Sequence, residues 1–264
     1  DKIVDYTIRL GKALKISGIF NIQFVVADEE AYVLEVNPRA SRTVPIISKV
    51  TGVPMVKLAT MAMVGRKLKD MGYKEGLFPE KPYFVVKAPV FSFEKLTQVE
   101  TTLGPEMKST GEVLGIDMNF EAALYKAFIG TGIRYPLSGK VMVALAKKDY
   151  EEGKAIVKDF LELGYEVFCT EATGDFFTKE GLDVVVTEES LSMVENGQID
   201  LIINTPTKSR NKLTRGFKMR RIAAETRTPC FTSLDTAKAF LKARVCEIDK
   251  SLVATNTIQD YLKM

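Results

Sequence analysis

Five short apolar runs decide the fold, and they are VMVALA at 141–146, EVFCT at 166–170, DVVVT at 183–187, DLIINT at 200–205 and CFTS at 230–233. Helical segments separate them, at 150–163, near 173–181 and at 189–197, with a further helix before CFTS and the helix TAKAFLKARV after it. Strands that alternate with helices pair in parallel through right-handed crossovers. This part of the α/β chain is therefore predicted to be a doubly wound parallel sheet, covered by helices on both faces.

The loops that leave the strands' carboxyl ends are the places to look for a ligand. In doubly wound sheets, ligands bind in the crevice beyond those ends. Two candidate loops emerge there, CTEATGD at 169–175 and INTPTKSR at 203–210.

Upstream of these runs the pattern is different and more irregular. Helical spacing at 2–16 leads into two strands, NIQFVVA at 21–27 and AYVLEVN at 31–37, around the acidic turn Asp28 to Glu30. Such an arrangement predicts a β-hairpin. Pro38 and Pro45 bracket an irregular segment, after which IISKVTG at 46–52 is predicted to be a short helix closed by Gly52, in keeping with glycine at helix C-termini. A second short helix is predicted at about 54–64.

A second irregular stretch ends this first part. PYFVVKAPVFSF at 82–93 is predicted to be extended but interrupted by Pro89, and LGPEMKSTGEVLGID at 103–117 to be mostly loop with one short strand. A helix at 119–130 follows, with Asn119 as its N-cap. Because GTGIRYPLSG at 130–139 has the composition of a linker, we predict domains at 1–130 and 138–264.

Three polar residues on the hairpin form the first candidate site. Glu35 and Asn37 are two residues apart and so point to one face of their strand, and Gln23 lies on the other strand. Their oxygens suit a hard cation such as Mg²⁺. Arg39 and Arg42 follow in one loop and are suited to hold a phosphate bridged to that metal. An ordinary surface ion pair between Glu35 and Arg39 explains the same spacing.

The composition and net charge of the chain exclude several kinds of catalysis and give no reason to expect certain partners. The 264 residues carry a net charge of +3, which gives no reason to expect nucleic acid or an anionic membrane as a partner. Histidine is absent, which excludes imidazole catalysis and Ser-His or Cys-His nucleophiles. The three cysteines show no CxxC pair, so we expect buried free thiols. No apolar run is long enough for a membrane span, and a soluble, cytoplasmic protein is expected.

The run NIQF at 21–24, followed by YVLEVNPRASRTVPIISKVTGVP at 32–54 and by LGPEMKSTGEVLGID, resembles the large chain of carbamoyl-phosphate synthetases. That resemblance covers nearly all of residues 1–130 and implies the C-terminal part of an ATP-grasp α+β domain. It implies that Gln23, Glu35 and Asn37 bind Mg²⁺ or Mn²⁺ together with ATP. It also implies that Arg39 and Arg42 contact the transferred phosphate or carbamate.

Glu112 is implied to lie near the passage that delivers carbamate, although a solvated loop carboxylate is an equal alternative. The family uses two ATP, bicarbonate and ammonia that a glutaminase small subunit releases from glutamine. ATP-grasp enzymes hold the nucleotide between two subdomains, and residues before Gln23 do not supply the upstream half. We therefore expect a fragment of the second ATP-grasp half, without activity in isolation.

Residues 138–264 resemble the methylglyoxal-synthase-like, Rossmann-like domain that ends these large chains. The supporting runs are FCTEATGD at 168–175, DLIINTP at 200–206 and KMRRIAAETRTPCFTSLDTA at 218–237. The resemblance implies that Thr170, Thr173, Asn204 and Thr205 bind a nucleotide or amino-acid-derived allosteric effector. Threonines at these places also cap helices.

The effector pocket departs from the family pattern. CTEATGD stands where the family usually has ATxGTA and resembles the version in animal enzymes that respond to N-acetylglutamate. Tyr150 stands near an expected lysine, with Lys147, Lys148 and Lys154 around it, and Thr187 replaces another.

Three other functions share features with this sequence. Methylglyoxal synthase itself is excluded because it needs a histidine and an aspartate near Thr214, and the chain has neither. A regulatory and oligomerisation module without catalysis stays open, as does a carboxylate-amine ligase from elsewhere in the ATP-grasp group. We expect an oligomer, and the residues do not distinguish arginine from pyrimidine biosynthesis.

Overall fold

The computed structural model describes residues 1–92, 107–207 and 214–264. The predicted loop positions 103–106 and 208–210 lie outside those ranges. The chain forms two compact units, one of Asp1–Pro82 with Thr255–Met264 and the other of Tyr83–Ala254.

Besides a short 3-10 helix at Leu68–Met71, the first unit contains four α-helices and a hairpin. They are α1 (Lys2–Ala13), β1 (Asn21–Ala27), β2 (Glu30–Asn37), α2 (Thr43–Thr51), α3 (Met55–Met63) and the C-terminal α10 (Ile258–Leu262). The hairpin turns at Asp28 and Glu29, both with positive φ, as tight two-residue hairpin loops require. Gly52 ends α2 in the left-handed conformation that favours glycine, which confirms the predicted helix end.

The second unit begins with a small antiparallel sheet under a helix. These elements are β3 (Phe84–Val90), β4 (Gly111–Asp117) and α4 (Phe120–Gly130). Asn119 caps α4 as predicted, since its side chain accepts a hydrogen bond from the Ala122 amide at 3.0 Å. The helix lies directly on β4, because a Cβ on Gly115 would come within 2.0 Å of the Ala123 carbonyl oxygen.

The predicted doubly wound parallel sheet is confirmed. Its strands are β5 (Gly139–Ala144), β6 (Tyr165–Cys169), β7 (Val185–Val186), β8 (Leu201–Asn204) and β9 (Cys230–Phe231). Its helices are α5 (Tyr150–Glu162), α6 (Glu171–Lys179), α7 (Ser190–Glu195), α8 (Arg215–Thr226) and α9 (Leu234–Ile248). All pairs are parallel, in the order β7-β6-β5-β8-β9.

Each face of this sheet has its own core. Val141 and Val143 of β5 point into a cluster that also contains Phe160, Phe177 and Phe240. Met142, between them, points into a second cluster with residues of α7 and α8. Alternate residues of one strand therefore enter opposite cores, as a sheet covered on both faces demands.

The division into compact units does not follow the predicted domain bounds. Leu124 and Phe128 of α4 belong to the same core cluster as the five-stranded sheet. Packing therefore groups residues 83–130 with the sheet, and it groups the last ten residues with the first unit. The bounds 1–130 and 138–264, which concern sequence families, stay a prediction.

Two local predictions were wrong, both at prolines. Strand β3 runs through Pro89, which pairs with Glu112, because a strand in a two-stranded sheet has a free edge that tolerates a missing N–H. Helix α2 starts at Thr43 and includes Pro45, because the first turn of a helix does not need that N–H.

The predicted buried free thiols are found at two of the three cysteines, and Cys230 is half-buried. All three cysteines are free thiols, with Cys169 and Cys246 buried. In the described ranges no single helix is long and apolar enough to cross a bilayer, although α2 and α3 pass that test as a pair that bends by 108°.

A buried carboxylate joins distant parts of the second unit. Asp117, at the end of β4, is 2.8 Å from the Lys126 ammonium and accepts the backbone N–H groups of Asn119 and Ala254. Burial raises the pKa of this carboxyl, but the bonds from Lys126, Asn119 and Ala254 outweigh that effect, so the pKa is lowered. Its stabilising effect is thus complete above the unfolded-state pKa and is lost as pH falls through the folded-state pKa.

We predict that Asp117→Asn lowers the free energy of unfolding of the second unit by about 2 kcal/mol at neutral pH, as expected for hydrogen bonds to a charged group. The difference should shrink as pH falls below about 4, where the carboxyl of the unfolded chain takes up a proton, and should vanish below the lowered pKa of the native carboxyl. Urea unfolding followed from neutral to acidic pH measures both effects. An equal difference at every pH would contradict the role given to the ionised carboxylate.

Candidate functional site

The hairpin brings the predicted metal ligands to one face. Gln23 of β1 stands opposite Glu35 of β2, and Asn21 stands opposite Asn37. Directly opposite residues share a face of the sheet, so Gln23, Glu35 and Asn37 are neighbours there. The Asn37 side-chain amide donates to a Glu35 carboxylate oxygen at 2.8 Å. A register shift follows Gln23, and such bulges often re-aim side chains beside functional sites.

This set is open to solvent and rich in oxygen. Gln23 and Glu35 are exposed and Asn37 is half-buried. In the described part of the chain no three His, Cys, Asp or Glu side chains meet as a metal site. The hairpin set has one carboxylate and two amides, a donor set that suits Mg²⁺ or Mn²⁺ with positions left for water and phosphate oxygens.

Both predicted arginines lie in the turn between β2 and α2. The Arg39 backbone N–H donates to the Asn37 carbonyl at 2.8 Å, and its guanidinium donates to the Ala40 carbonyl at 3.1 Å. Arg42 is the N-cap residue of α2. Both side chains are exposed, on the segment that directly follows the hairpin ligands.

Glu112 belongs to the second unit, on β4. One of its carboxylate oxygens is 3.3 Å from the Lys87 ammonium, across the small sheet. The other oxygen is buried and has no hydrogen-bond partner. The pairing with Lys87 gives this lysine a structural role, and the orphaned oxygen is the part of Glu112 that could accept a further donor.

The four predicted effector residues meet at the carboxyl edge of the parallel sheet. Thr170 follows β6, Thr173 lies in the first turn of α6, and Asn204 and Thr205 end β8. Strand β5 lies between β6 and β8, where the chain switches from one half of the sheet to the other. That switch point is where doubly wound sheets bind ligands.

Two of these threonines hold the loop that leaves β5. The Thr173 hydroxyl accepts the Leu145 N–H at 3.1 Å, and the Thr205 hydroxyl accepts the Ala146 N–H at 2.7 Å. Thr173 and Thr205 are buried. Thr170 is half-buried and its hydroxyl lies 3.4 Å from that of Thr173. Each hydroxyl that accepts an N–H still has a proton to donate.

Both polar atoms of the Asn204 side chain have partners inside the protein. Its side-chain oxygen accepts from the Arg220 guanidinium at 2.7 Å, and its amide nitrogen lies 3.4 Å from the Met219 sulfur. Arg220 is itself only 8% exposed. The sequence does not mark Arg220 as buried, because an arginine in the helical run KMRR at 218–221 normally faces solvent.

Other polar groups around this edge have settled partners. Lys154 pairs with Glu180, and Lys148 lies 3.8 Å from Asp149. Thr187, which replaces an expected lysine, accepts the Glu189 N–H at 3.1 Å. Tyr150, at the other altered position, packs its ring 5.0 Å from that of Phe176. Lys147, also in the segment after β5, is exposed, so this edge offers an ammonium group as well as hydroxyl and amide donors.

The nearest thiol is not a nucleophile. Cys169 is the last residue of β6, directly before Thr170, and is fully buried. Burial raises its pKa to about 12, so it stays protonated at neutral pH. Binding, not covalent catalysis, is the chemistry that this edge supports.

Comparison with known proteins relates both parts of the chain to one kind of large chain. The model of the carbamoyl-phosphate synthase L chain ATP binding domain matches residues 1–71, and the MGS-like domain model matches residues 153–232. The chain is 50% identical over 261 residues to the carbamoyl phosphate synthase large chain of Thermoanaerobacter sp. (strain X514), covering 98% of this chain and 24% of that one. The chain is homologous to the C-terminal region of the carbamoyl phosphate synthase large chain.

Further large chains give the same result. Those of Caldanaerobacter subterraneus subsp. tengcongensis and Clostridium acetobutylicum are 49% and 47% identical, over 98% and 100% of this chain. The chain spans about a quarter of the length of the carbamoyl phosphate synthase relatives that it matches, 24% and 25% of these two. The hairpin set and the four effector residues lie within the matched family regions, whereas Glu112 lies outside them.

We predict that Thr173→Val destabilises the second unit by about 1–3 kcal/mol, because it leaves the buried Leu145 N–H without an acceptor. Thr173→Ser keeps the hydroxyl and should lose much less. Thr178, exposed on the same helix, supplies the matched control Thr178→Val. Urea unfolding, with amide exchange read at Leu145, distinguishes these variants. Equal stability of Thr173→Val and Thr178→Val would show that the Thr173 hydroxyl does not hold the loop.

Proposed function

We propose that this chain serves a carbamoyl phosphate synthase, in the step that phosphorylates carbamate and in its allosteric control. The whole reaction joins bicarbonate, ammonia from glutamine and two ATP into carbamoyl phosphate, with a glutaminase small subunit as partner. The observation that carries the proposal is the register that places Gln23, Glu35 and Asn37 on one face, inside the region matched by the ATP binding domain.

The hairpin set would hold Mg²⁺ or Mn²⁺ together with ATP. When bound, the metal would supply positive charge that offsets the negative charge of the phosphoryl group being transferred. Glu35 supplies the negative charge of the set, and Gln23 and Asn37 supply neutral oxygens. Only partial coordination by protein fits a metal that shares its sphere with phosphates.

Arg39 and Arg42 would act on the anion beside that metal. Each guanidinium stays charged and can donate two parallel hydrogen bonds to phosphate or carbamate oxygens. Their place in the turn that follows β2 puts both on a backbone that is continuous with the Glu35 and Asn37 strand. Glu112 is proposed to serve the delivery of carbamate, through its orphaned oxygen.

The first unit has the surface expected of part of a larger domain. Val26, on β1, is 64% exposed, and Leu34, on β2, is 61% exposed. Exposed apolar side chains on a two-stranded sheet are unfavourable in water. We therefore expect additional polypeptide to cover them. We therefore propose that the nucleotide is bound only when additional ATP-grasp sequence completes the site.

We predict that Glu35→Gln weakens Mn²⁺ binding by about tenfold or more, because affinity for such cations depends on the ligand charge count. Glu29→Gln is the matched control, since Glu29 is an exposed carboxylate in the turn of the same hairpin. Electron paramagnetic resonance of Mn²⁺ titrated into each variant measures free and bound metal. Equal binding by the two variants would remove the metal role of Glu35.

We predict no ATP turnover by residues 1–264 above that of a Glu35→Ala variant. The physical reason is that two subdomains are needed to enclose the nucleotide and exclude water during phosphoryl transfer. Release of inorganic phosphate, measured with Mg²⁺ and with Mn²⁺, tests this. Turnover that depends on Glu35 would show that the chain is catalytically complete.

The second unit is proposed to bind a nucleotide or amino-acid-derived effector at the carboxyl edge of the parallel sheet. Support comes from the meeting of Thr170, Thr173, Asn204 and Thr205 at the switch point. Thr173, Asn204 and Thr205 are buried with internal partners, whereas Thr170 is half-buried and makes a long 3.4 Å bond to the Thr173 hydroxyl, so Thr170 is the member most available for direct contact. Thr173 and Thr205 would contribute by holding the loop after β5 and by donating their hydroxyl protons.

We predict that one of UMP, IMP, ornithine and N-acetylglutamate binds, and that Thr170→Val weakens it by about tenfold, the usual effect of losing a hydrogen bond to a charged group. Thr170 is the N-cap residue of α6 but makes no side-chain capping bond, so this change should leave the helix intact. Calorimetric titration measures the affinity, with Thr178→Val as control. Silence with all four effectors, from a folded sample, would contradict the regulatory role.

We also propose that the protein assembles as an oligomer, is located in the cytoplasm and serves arginine or pyrimidine biosynthesis. The alternative is a regulatory and assembly module without catalysis. Effector binding combined with Mn²⁺ binding that does not depend on Glu35 would favour it.

A further inference from the structure

The last ten residues of the chain leave the unit that precedes them. Residues 83–254 form the second unit, whereas Thr255–Met264 belong to the first. We call residues 255–264 the C-terminal strap.

The strap starts from a fixed point in the second unit. The Ala254 N–H donates to Asp117 at 3.1 Å, and Asp117 is itself held by Lys126 of α4. Just upstream, Glu247 of α9 accepts from the Tyr125 hydroxyl at 2.5 Å and pairs with Lys250 at 2.6 Å. Helices α4 and α9 therefore anchor the point where the strap begins.

The strap ends against α2 in the first unit. Its helix α10 packs on α2, and the Leu262 side chain lies where a Cβ on Gly52, the C-cap of α2, would approach it to 3.3 Å. Tyr261 is only 2% exposed. A capping box of Thr257 and Asp260 closes the start of α10. A five-residue helix is too short to persist alone, so packing must hold it in place.

Helix α2 joins the strap to the candidate phosphate site. Its C-terminal end meets Leu262, and its N-cap residue is Arg42. Nine residues of α-helix form a stiff element about 13 Å long, so a shift at one end moves the other.

We propose that the C-terminal strap couples the second unit to α2, so that a change in the second unit alters the position or mobility of Arg42. The significance of Arg42 rests on the proposed function, but the coupling itself does not. It is a covalent link with one anchor in each unit, and coupling energy between distant sites is carried by such contiguous connections.

The direct test is hydrogen exchange in the complete chain with Asp117→Asn, which removes the carboxylate that holds Ala254. We expect amides of α2 to exchange about threefold to tenfold faster, the range typical of coupling through such links. Asp200→Asn is the matched control, since Asp200 accepts the Lys140 N–H at 2.8 Å in the same unit but does not touch the strap. A Gly-Ser-Gly-Ser insertion after Thr255, added to Asp117→Asn, should abolish the response.

The proposal is overturned if Asp117→Asn leaves α2 exchange unchanged while α4 responds. A response that survives the insertion, or one that Asp200→Asn reproduces, also overturns it. These readouts need neither metal nor ATP, so they fail or succeed independently of the catalytic proposal.

Changes at the far end of the strap keep the test decisive if Asp117→Asn does not fold. We expect Leu262→Ala to speed α2 exchange about tenfold through lost packing, Leu262→Met to rescue it, and exposed Gln259→Ala to have no effect. Because coupling is reciprocal, Leu262→Ala should also speed exchange at the Ala254 amide. No change at Ala254 would mean that the strap only packs and does not couple.

Discussion

The constraint on which the second unit depends is the burial of strand β5. Val141, Met142 and Val143 are at most 1% exposed, because apolar cores cover both faces of the strand and paired strands cover both edges. Where such a strand ends, its backbone N–H groups are still away from water and must find acceptors. Thr173 and Thr205 provide them, for Leu145 and Ala146. The need for these acceptors therefore places hydroxyl groups at the sheet edge where a ligand can bind.

The candidate metal site on the hairpin is positioned without a packed core. Strand pairing alone fixes which residues face each other, and Gln23, Glu35 and Asn37 stay accessible to solvent or half-buried. Exposed amides and a carboxylate carry little cost of burial and remain free to bind a hydrated cation. Precision at this site comes from register and from the short turn that brings Arg39 and Arg42 next in sequence, not from a packed core.

Much of this could be predicted from the sequence, where one local rule decides the outcome. Asn119 was predicted as a cap because side-chain oxygens at that place satisfy free helix amides, and the structure confirms it. The parallel sheet followed from strands alternating with helices. The predictions at Pro89 and Pro45 were wrong. A strand tolerates proline at a free edge, and a helix tolerates it in its first turn, but the local sequence pattern shows neither condition. The packing of α4 on the sheet and the burial of Arg220 depend on tertiary contacts and left no signal.

The carboxyl edge of the parallel sheet, around the loop after β5, is proposed to bind the anionic group of an effector. Titration of the ¹⁵N-labelled chain with inorganic phosphate, followed by amide chemical shifts, tests it most directly. The predicted result is saturable shifts at Leu145, Ala146 and the first turn of α6. Shifts confined to other surfaces, or none at millimolar phosphate, would contradict the claim.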